Sequence, residues 1–447
     1  MLVKTKYTPS PKFEKIRYVC RTKAIRDKLL FMLACLVIIR AGSQIPLPGI
    51  DRAVVAAWFA DSGGMFNLFD MFSGGSLSNM SIFAISITPI ITASIIMELM
   101  TIVIPALKEM QEDETGRQKK AKITKYVGIG LAAIQAFGTM FLFKRQGAIP
   151  QADPLRMIAV CVAMVAGSAF LMWLADILTE KGFGNGTSFI LLVNIASRVP
   201  ALLVSLYEQF IDGQNAIKIV IAVVLIVVIT VVTITLVVIL EGGERRVPII
   251  NARKIAGTMG GGVNSTLPLK VNMAGVIPII FAQTLMSIPS MLSAFTGSGN
   301  KVLAIISSVC NDGNWFDVER PLYTVGFFFH LLLIFGFAYF YTDISFSPRE
   351  TADNLRKQGS TVPGIRPGKP TEMFLSGIVK NLVFIGAVGL VIVTTIPMLT
   401  SGLTHANIAI GGTSVIIVTG VIIEIVREID AELVFRYNRG FLGKGGR

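Results

Sequence analysis

The chain has 447 residues, 53% of them hydrophobic and only 15% charged, with Lys and Arg outnumbering Asp and Glu by 41 to 28. Soluble domains carry about 25% charged residues, so this composition excludes an ordinary water-soluble globular protein and points to a polytopic membrane protein. The basic surplus can serve nucleic-acid binding or the orientation of membrane loops, and its uneven placement favours orientation.

In chain order, residues 1–27 are polar and basic with no apolar core. They are expected to form a cytosolic tail and not a cleavable signal peptide. Ten apolar runs follow, at about 28–48, 81–104, 123–143, 155–178, 187–207, 216–240, 272–295, 321–343, 374–396 and 411–430. The run "AIKIVIAVVLIVVITVVTITLVVIL" is almost wholly β-branched and aliphatic, but its length makes it a membrane helix and not a strand. A tail at 431–447 closes the chain.

Between the first two runs lies "MFNLFDMFSGGSLSNM". Met65, Phe66, Leu68, Phe69, Met71 and Phe72 are apolar, while Asn67, Asp70 and Ser73 recur every third residue as a polar stripe. That spacing predicts a short amphipathic helix ending at Gly74-Gly75, too short for the ~20 residues of a bilayer crossing. Taken alone, the pattern fits equally a helix lying on the outer membrane surface.

Charge assigns sides to the loops. Residues 1–28 hold nine Lys and Arg, and the 105–125 loop holds six. The 241–271 loop carries Arg245, Arg246, Arg253, Lys254 and Lys270, and the 346–373 loop carries Arg349, Arg356, Lys357, Arg366 and Lys369. The alternate loops are poor in both residues, which puts both termini in the cytosol. The two long basic loops are rich in Gly and Pro. They read either as solvated connectors or as docking sites for a large acidic partner such as ribosomal RNA or a cytosolic motor.

Few charges enter the runs. Arg40, Asp176, Arg198, Lys380, Glu424, Arg427 and Glu428 lie near predicted ends, where snorkelling explains them. Glu98 is expected at the interface and not buried. Weakly polar positions are commoner: Thr88, Pro89, Thr92 and Ser94 in the second run, Gln135 in the third, and Asn272, Pro278, Gln283, Thr284 and Pro289 in the seventh. Such residues hold membrane helices together at about 1 kcal/mol per hydrogen bond, which also suits a seam that must open and reclose. Cys20, Cys35, Cys161 and Cys310 share no short spacing, and His330 and His405 are the two histidines. Neither set suggests a disulfide framework or a metal site.

Six ordered motifs, "MFSGGSLSNMSIFAISITPIITASIIMELM", "TGRQKKAKITKY", "EKGFGNGTSFIL", "LPLKVNMAGVIPIIFA", "SPRETADNLRKQGSTVPGIRPGKPT" and "GGTSVIIV", resemble the SecY family over nearly the whole chain. That family is the large subunit of the bacterial protein-conducting channel. The resemblance implies an all-α fold of ten spans in two inverted halves, 28–207 and 216–430, hinged at 208–215 around a central pore. By motif, the apolar pore ring falls on Ile87, Ile91, Thr187, Leu191, Ile280 and Ile417. Thr187 departs from the aliphatic residue usual there.

Met65, Phe66, Asn67, Leu68, Phe69, Asp70, Met71, Phe72, Ser73, Gly74 and Gly75 fit the family's plug. On that reading its Phe and Met side chains press on the ring, the polar stripe faces water in the funnel, and the glycine pair is a flexible joint. The seam finds its place as a lateral gate between the second and seventh spans, flanked by the third and eighth, with Thr92, Ser94, Gln135, Gln283 and Thr284 as latch candidates. Arg245, Arg246, Arg253, Lys254, Arg356, Lys357 and Arg366 become docking positions. The implied partners are SecE, SecG, the SecA ATPase, the ribosome, signal peptides and nascent chains, the accessory proteins YidC and SecD/SecF, and membrane lipid. The implied location is the bacterial plasma membrane.

The sequence contains no Gly-Lys-Ser/Thr phosphate loop, His-Glu-x-x-His helix or Ser/His/Asp set, so a passive pore without cofactors is expected. The competing class is a small-solute transporter built on Pro-broken helices. It would need a polar or charged site at mid-membrane, and the best candidates lie near the interface.

Overall fold

In the computed structural model, residues 22–61, 70–145, 147–149, 154–210, 216–251, 265–296, 301–311, 315, 323–404 and 412–442 are described. The helices are α1 (Lys23–Gly42), α2 (Arg52–Asp61), α3 (Thr88–Val103), α4 (Pro105–Glu112), α5 (Glu114–Arg145), α6 (Pro154–Lys181), α7 (Gly186–Phe210) and α8 (Ala216–Gly242). They continue as α9 (Ile277–Thr296), α10 (Lys301–Cys310), α11 (Thr324–Ser345), α12 (Pro348–Lys357), α13 (Lys369–Thr404) and α14 (Gly412–Leu442). Strands β1 (Glu244–Asn251), β2 (Ser265–Lys270) and β3 (Ser360–Thr361) form one small sheet.

Each of the ten expected spans is occupied by a helix. Among the described residues, four helices, within Thr115–Arg145, Pro154–Lys181, Thr324–Lys357 and Lys369–Ile396, are long and apolar enough to cross a membrane. Shorter apolar helices lie at Thr88–Thr101, Val227–Gly242 and Ile277–Pro289. Leu33, Phe137, Leu155, Ile239, Phe328 and Leu332 are exposed on these helices, as a hydrocarbon solvent allows and water would not. The protein is a polytopic helical membrane protein.

The second span differs from its expected 81–104. Residues 82–87 form turns, and α3 begins only at Thr88, with Pro89 in its first turn, where a missing N–H costs nothing. Upstream, Ser81 bridges Pro46, Leu47 N donates to Met80 O and Ile82 N donates to Ile45 O. The Ile82 carbonyl also sits so close to α6 that a Cβ on Gly167 would lie 2.2 Å from it. A regular helix through 81–87 is incompatible with that backbone approach. Ile104 is extended ahead of Pro105, the conformation a following proline imposes, and α3 therefore stops there and α4 starts afresh.

The described residues form two compact units. One comprises residues within Met1–Trp58, Asp70–Ser197 and Val421–Arg447, and the other residues within Phe59–Phe69 and Arg198–Gly420. In the first, α3, α4, α5, α6 and α1 pack in succession. Lys125 on α5 pairs with Asp176 on α6 at 2.6 Å. In the second, α9, α10, α11 and α13 pack together and α8 lies against α13. There the indole of Trp315 donates to Val309 O at 2.8 Å and packs on Phe327 and on His330, which is fully buried. His405 lies outside the described residues.

The described parts of both long basic loops fold into one sheet. β1 runs antiparallel to β2, with Val247 opposite Leu267, and antiparallel to β3, with Ile250 opposite Thr361. A core of Val247, Ile249, Leu269, Leu355, Val362, Leu375, Ile378 and Leu382 sits under the sheet. A small sheet is thus added to the expected all-helical architecture. Among the described residues, helices beyond the ten spans include α2, α4, α10 and α12.

Of the proposed hinge at 208–215, residues 208–210 continue α7 and the rest lie outside the described residues. Cys35 is buried and free, and Cys161 and Cys310 are free and half-buried. Cys20 lies outside the described residues.

Candidate functional site: a capped re-entrant turn and a basic folded body

Residues 70–73 are helical, within the stretch expected as a short helix at 65–73; Met65, Phe66, Asn67, Leu68 and Phe69 lie outside the described residues. The turn ends at Gly74 and Gly75, with φ of 68° and 83°. Gly75 N donates to Asp70 O at 2.9 Å and Gly74 N to Met71 O at 3.1 Å, the bonding of a glycine-terminated helix. Gly74 has a second reason to be glycine. A Cβ there would lie 2.9 Å from the Cα of Asn194 on α7.

The two described residues of the polar stripe do not face water. Asp70 and Ser73 are buried at 0% and 3% exposure. The Asp70 carboxylate accepts from Ser78 N at 2.8 Å and from Ser73 Oγ at 3.3 Å, and Ser73 Oγ accepts from Leu77 N at 3.0 Å. These side chains are spent shaping the 73–78 turn, because a buried carboxylate requires donors. The glycine pair, expected to be a loose joint, is buried and bonded on both sides.

The carbonyls left over at the end of this turn are capped from distant elements. Gly74 O accepts from Arg40 on α1 at 3.1 Å, while the hydroxyl of Ser197 on α7 lies 3.3 Å away and donates its proton to Asn194 O at 2.6 Å. Phe72 O accepts from Asn194 at 2.8 Å. A helix C-terminus carries partial negative charge, so the Arg40 guanidinium is well placed there. Arg40 is therefore a capping residue and does not snorkel. Arg40, Asn194, Ser197 and Ser86 were missed as site residues. Asn194, a lone amide in "ILLVNIAS", was the available signal.

Of the ring candidates, the first unit holds Ile87 and Leu191, both buried, and Ile91 and Thr187, half-buried. Ile87 is the residue on which α3 is capped. Thr187 lies in the first turn of α7, its N–H donated to Asn185 Oδ1 at 2.9 Å, an N-cap bond. The second unit holds Ile280, half-buried, and Ile417, buried.

Among the latch candidates, Thr92 donates to Thr88 O at 3.1 Å and Thr284 to Ile280 O at 2.7 Å, each within its own helix. Ser94 and Gln135 are half-buried. Gln283 Oε1 is buried with no hydrogen-bond partner among the described residues, and so is Glu98 Oε2. One Glu98 oxygen is thus enclosed by protein.

The docking candidates divide by element. Arg245 and Arg246 are consecutive on β1 and exposed, so the strand sends them to opposite faces. Arg356 and Lys357 are exposed in the last turn of α12, a helix capped by Ser347, which accepts from Glu350 N, with Pro348 in the first turn. Arg366 is exposed between Gly364 and Gly368, and its carbonyl accepts from Thr371 at 2.8 Å. One shared core beneath the sheet carries all five. Arg253 and Lys254 lie outside the described residues.

The SecY family model matches residues 81–426. The protein translocase subunit SecY of Thermotoga maritima is 36% identical over 437 residues, covering 94% of this chain and 96% of that one. Its counterpart in Streptomyces scabiei is 38% identical, covering 94% and 98%. Among solved structures, a protein-conducting channel superimposes with a TM-score of 0.64 at 17% identity, over 91% of this chain and 92% of that one. Sec61 in the canine ribosome–channel complex superimposes with a TM-score of 0.62 at 16% identity, over the same shares. This chain belongs to the SecY family.

Proposed function

We propose that the chain is the channel-forming subunit of a bacterial protein translocase, passing unfolded secretory precursors across the plasma membrane and releasing transmembrane segments sideways into lipid. The observation that carries this reading is the 70–75 turn, a buried helix end whose carbonyls are held by Arg40 and Asn194 from two other helices. Such a seated segment suits a plug in a resting pore.

The halves 28–207 and 216–430 would contribute Ile87, Ile91, Thr187, Leu191, Ile280 and Ile417 to one constriction. Apolar side chains there dewet and so block ions, and they make no directional bonds to a passing polypeptide. The seam of Thr92, Ser94, Gln135, Gln283 and Thr284 would open toward lipid, where an apolar segment partitions while polar passengers stay in the channel. The chain does no chemistry. Its driving force comes from SecA or the ribosome, docked on Arg245, Arg246, Arg356, Lys357 and Arg366. SecE and SecG complete the complex, and both termini lie in the cytosol.

The test is ion conductance of the reconstituted complex in planar bilayers together with precursor transport. Deleting residues 66–72 raises resting conductance and leaves transport in place. Unchanged resting conductance overturns the plug assignment, and loss of transport with intact assembly overturns the passive role of the segment.

A further inference from the structure

Asn194 and Ser86 stand out because their polar atoms are turned on each other and on the plug turn. Asn194 is 2% exposed, Ser86 1% and Ser168 0%. Asn194 Nδ2 donates to Phe72 O at 2.8 Å and to Ser86 Oγ at 3.0 Å. The Ser86 hydroxyl points on to Phe72 O at 3.4 Å, and Ser86 O accepts from Ser168 on α6 at 2.9 Å. An amide inside a membrane helix ordinarily binds a neighbouring helix. This one spends both donors on the end of the re-entrant turn and on the residue two before α3.

Ser86 also has φ of 57°, a left-handed conformation that a non-glycine residue holds only when its surroundings over-determine it. Here the surroundings are Phe72, Asn194 and Ser168. The strained residue directly precedes Ile87, on which α3 is capped. Departure of the 70–75 turn removes Phe72 O and frees Ser86 to relax, which alters the start of α3.

We propose that Asn194 and Ser86 form a polar latch that sets the resting occupancy of the plug and passes its release to α3. This rests on the plug reading above. The bonds suit a reversible catch, since Phe72 O and the Asn194 amide regain water partners once the plug leaves, and the net value of each bond is small. An apolar seat of the same area would bind with no such exchange.

The experiment uses the assembled complex in planar bilayers, with Asn194→Ala, Ser86→Ala, the double variant and the 66–72 deletion. Resting conductance per channel is read beside the thermal midpoint of the complex in detergent. Asn194→Ala is expected to raise resting conductance roughly three- to tenfold, the span of one hydrogen bond's net worth, with an unchanged thermal midpoint. The double variant should do no more than the stronger single one, because the two residues act as a unit.

Wild-type conductance in Asn194→Ala, with raised conductance in the deletion, overturns the latch and leaves the plug standing. Wild-type conductance in the deletion overturns both. Additive effects of the two single substitutions, or a leak that tracks a lowered midpoint, also overturn the latch. Should Asn194→Ala fail to assemble, Asn194→Ser, which keeps a donor too short to reach Phe72, carries the same expectations.

Discussion

Lys28 on α1 donates to Glu432 on α14 at 2.8 Å, joining residues 404 positions apart in the chain. The same ammonium lies 4.7 Å from the centre of the Phe183 ring, in the turn between α6 and α7. Gly184 N in that turn donates to Glu428, one helical turn before Glu432. The middle of the last helix is thereby fastened to the first helix and to the α6–α7 turn.

The two side chains are 34% and 18% exposed, so solvent screens the pair and its worth is about 0.5–1 kcal/mol. A double-mutant cycle with Lys28→Ala and Glu432→Ala, followed by thermal unfolding in detergent, should show a coupling of that size. At ~1 M salt the Debye length falls to about 3 Å, and the coupling should shrink. Strict additivity at low salt contradicts the clasp.

Gly167→Ala should destabilise the first unit, because the new methyl meets the Ile82 carbonyl, a backbone atom with little room to yield. Overpacking of this kind costs about 1–3 kcal/mol. The thermal midpoint of the purified complex measures it, and an unchanged midpoint would show that the 82–87 turn gives way freely.

In the proposed pore ring, Thr187 offers a hydroxyl where an aliphatic side chain would make a drier constriction. Thr187→Ile should lower resting ion leak in planar bilayers. Because the N-cap bond uses the backbone N–H of residue 187, the substitution leaves α7 capped. Equal conductance of the two channels would remove Thr187 from the ring.

Arg366 is held by structure on both sides, with Thr371 bonded to its carbonyl and glycines at 364 and 368 in left-handed conformations. Arg366→Glu should impair motor-driven export more than insertion of the subunit into the membrane, since an exposed charge reversal spares the core and repels an acidic partner. Normal SecA-dependent transport by the variant would exclude Arg366 from the docking surface.

Hydropathy made the ten spans legible, because a bilayer demands long apolar helices wherever the chain crosses. It misplaced the start of the second span, since "SIFAISI" is as apolar as a helix but is bent by contacts with Pro46, Ile45 and Gly167. Asp70 and Ser73 looked like a wet stripe because period-three spacing cannot distinguish solvent from a buried turn that uses the same atoms. Arg40 looked like a snorkelling residue because its acceptor lies 34 positions on. The sheet was invisible for a similar reason. β3 is two residues long, and its partner on β1 is over a hundred positions away.

The sheet also has a mechanical meaning. β1 follows α8 after only Gly243, and Asn272 beyond β2 ties back to Glu241 at 2.7 Å. β3 leads through the Arg366 turn into α13, an unbroken helix of 36 residues. A strand flanked by one neighbour from each connection acts as a yoke. A load applied at the Arg366 turn is shared between α13 and α8 and does not dissipate in a slack loop, so whatever leans on that turn holds two rods at once.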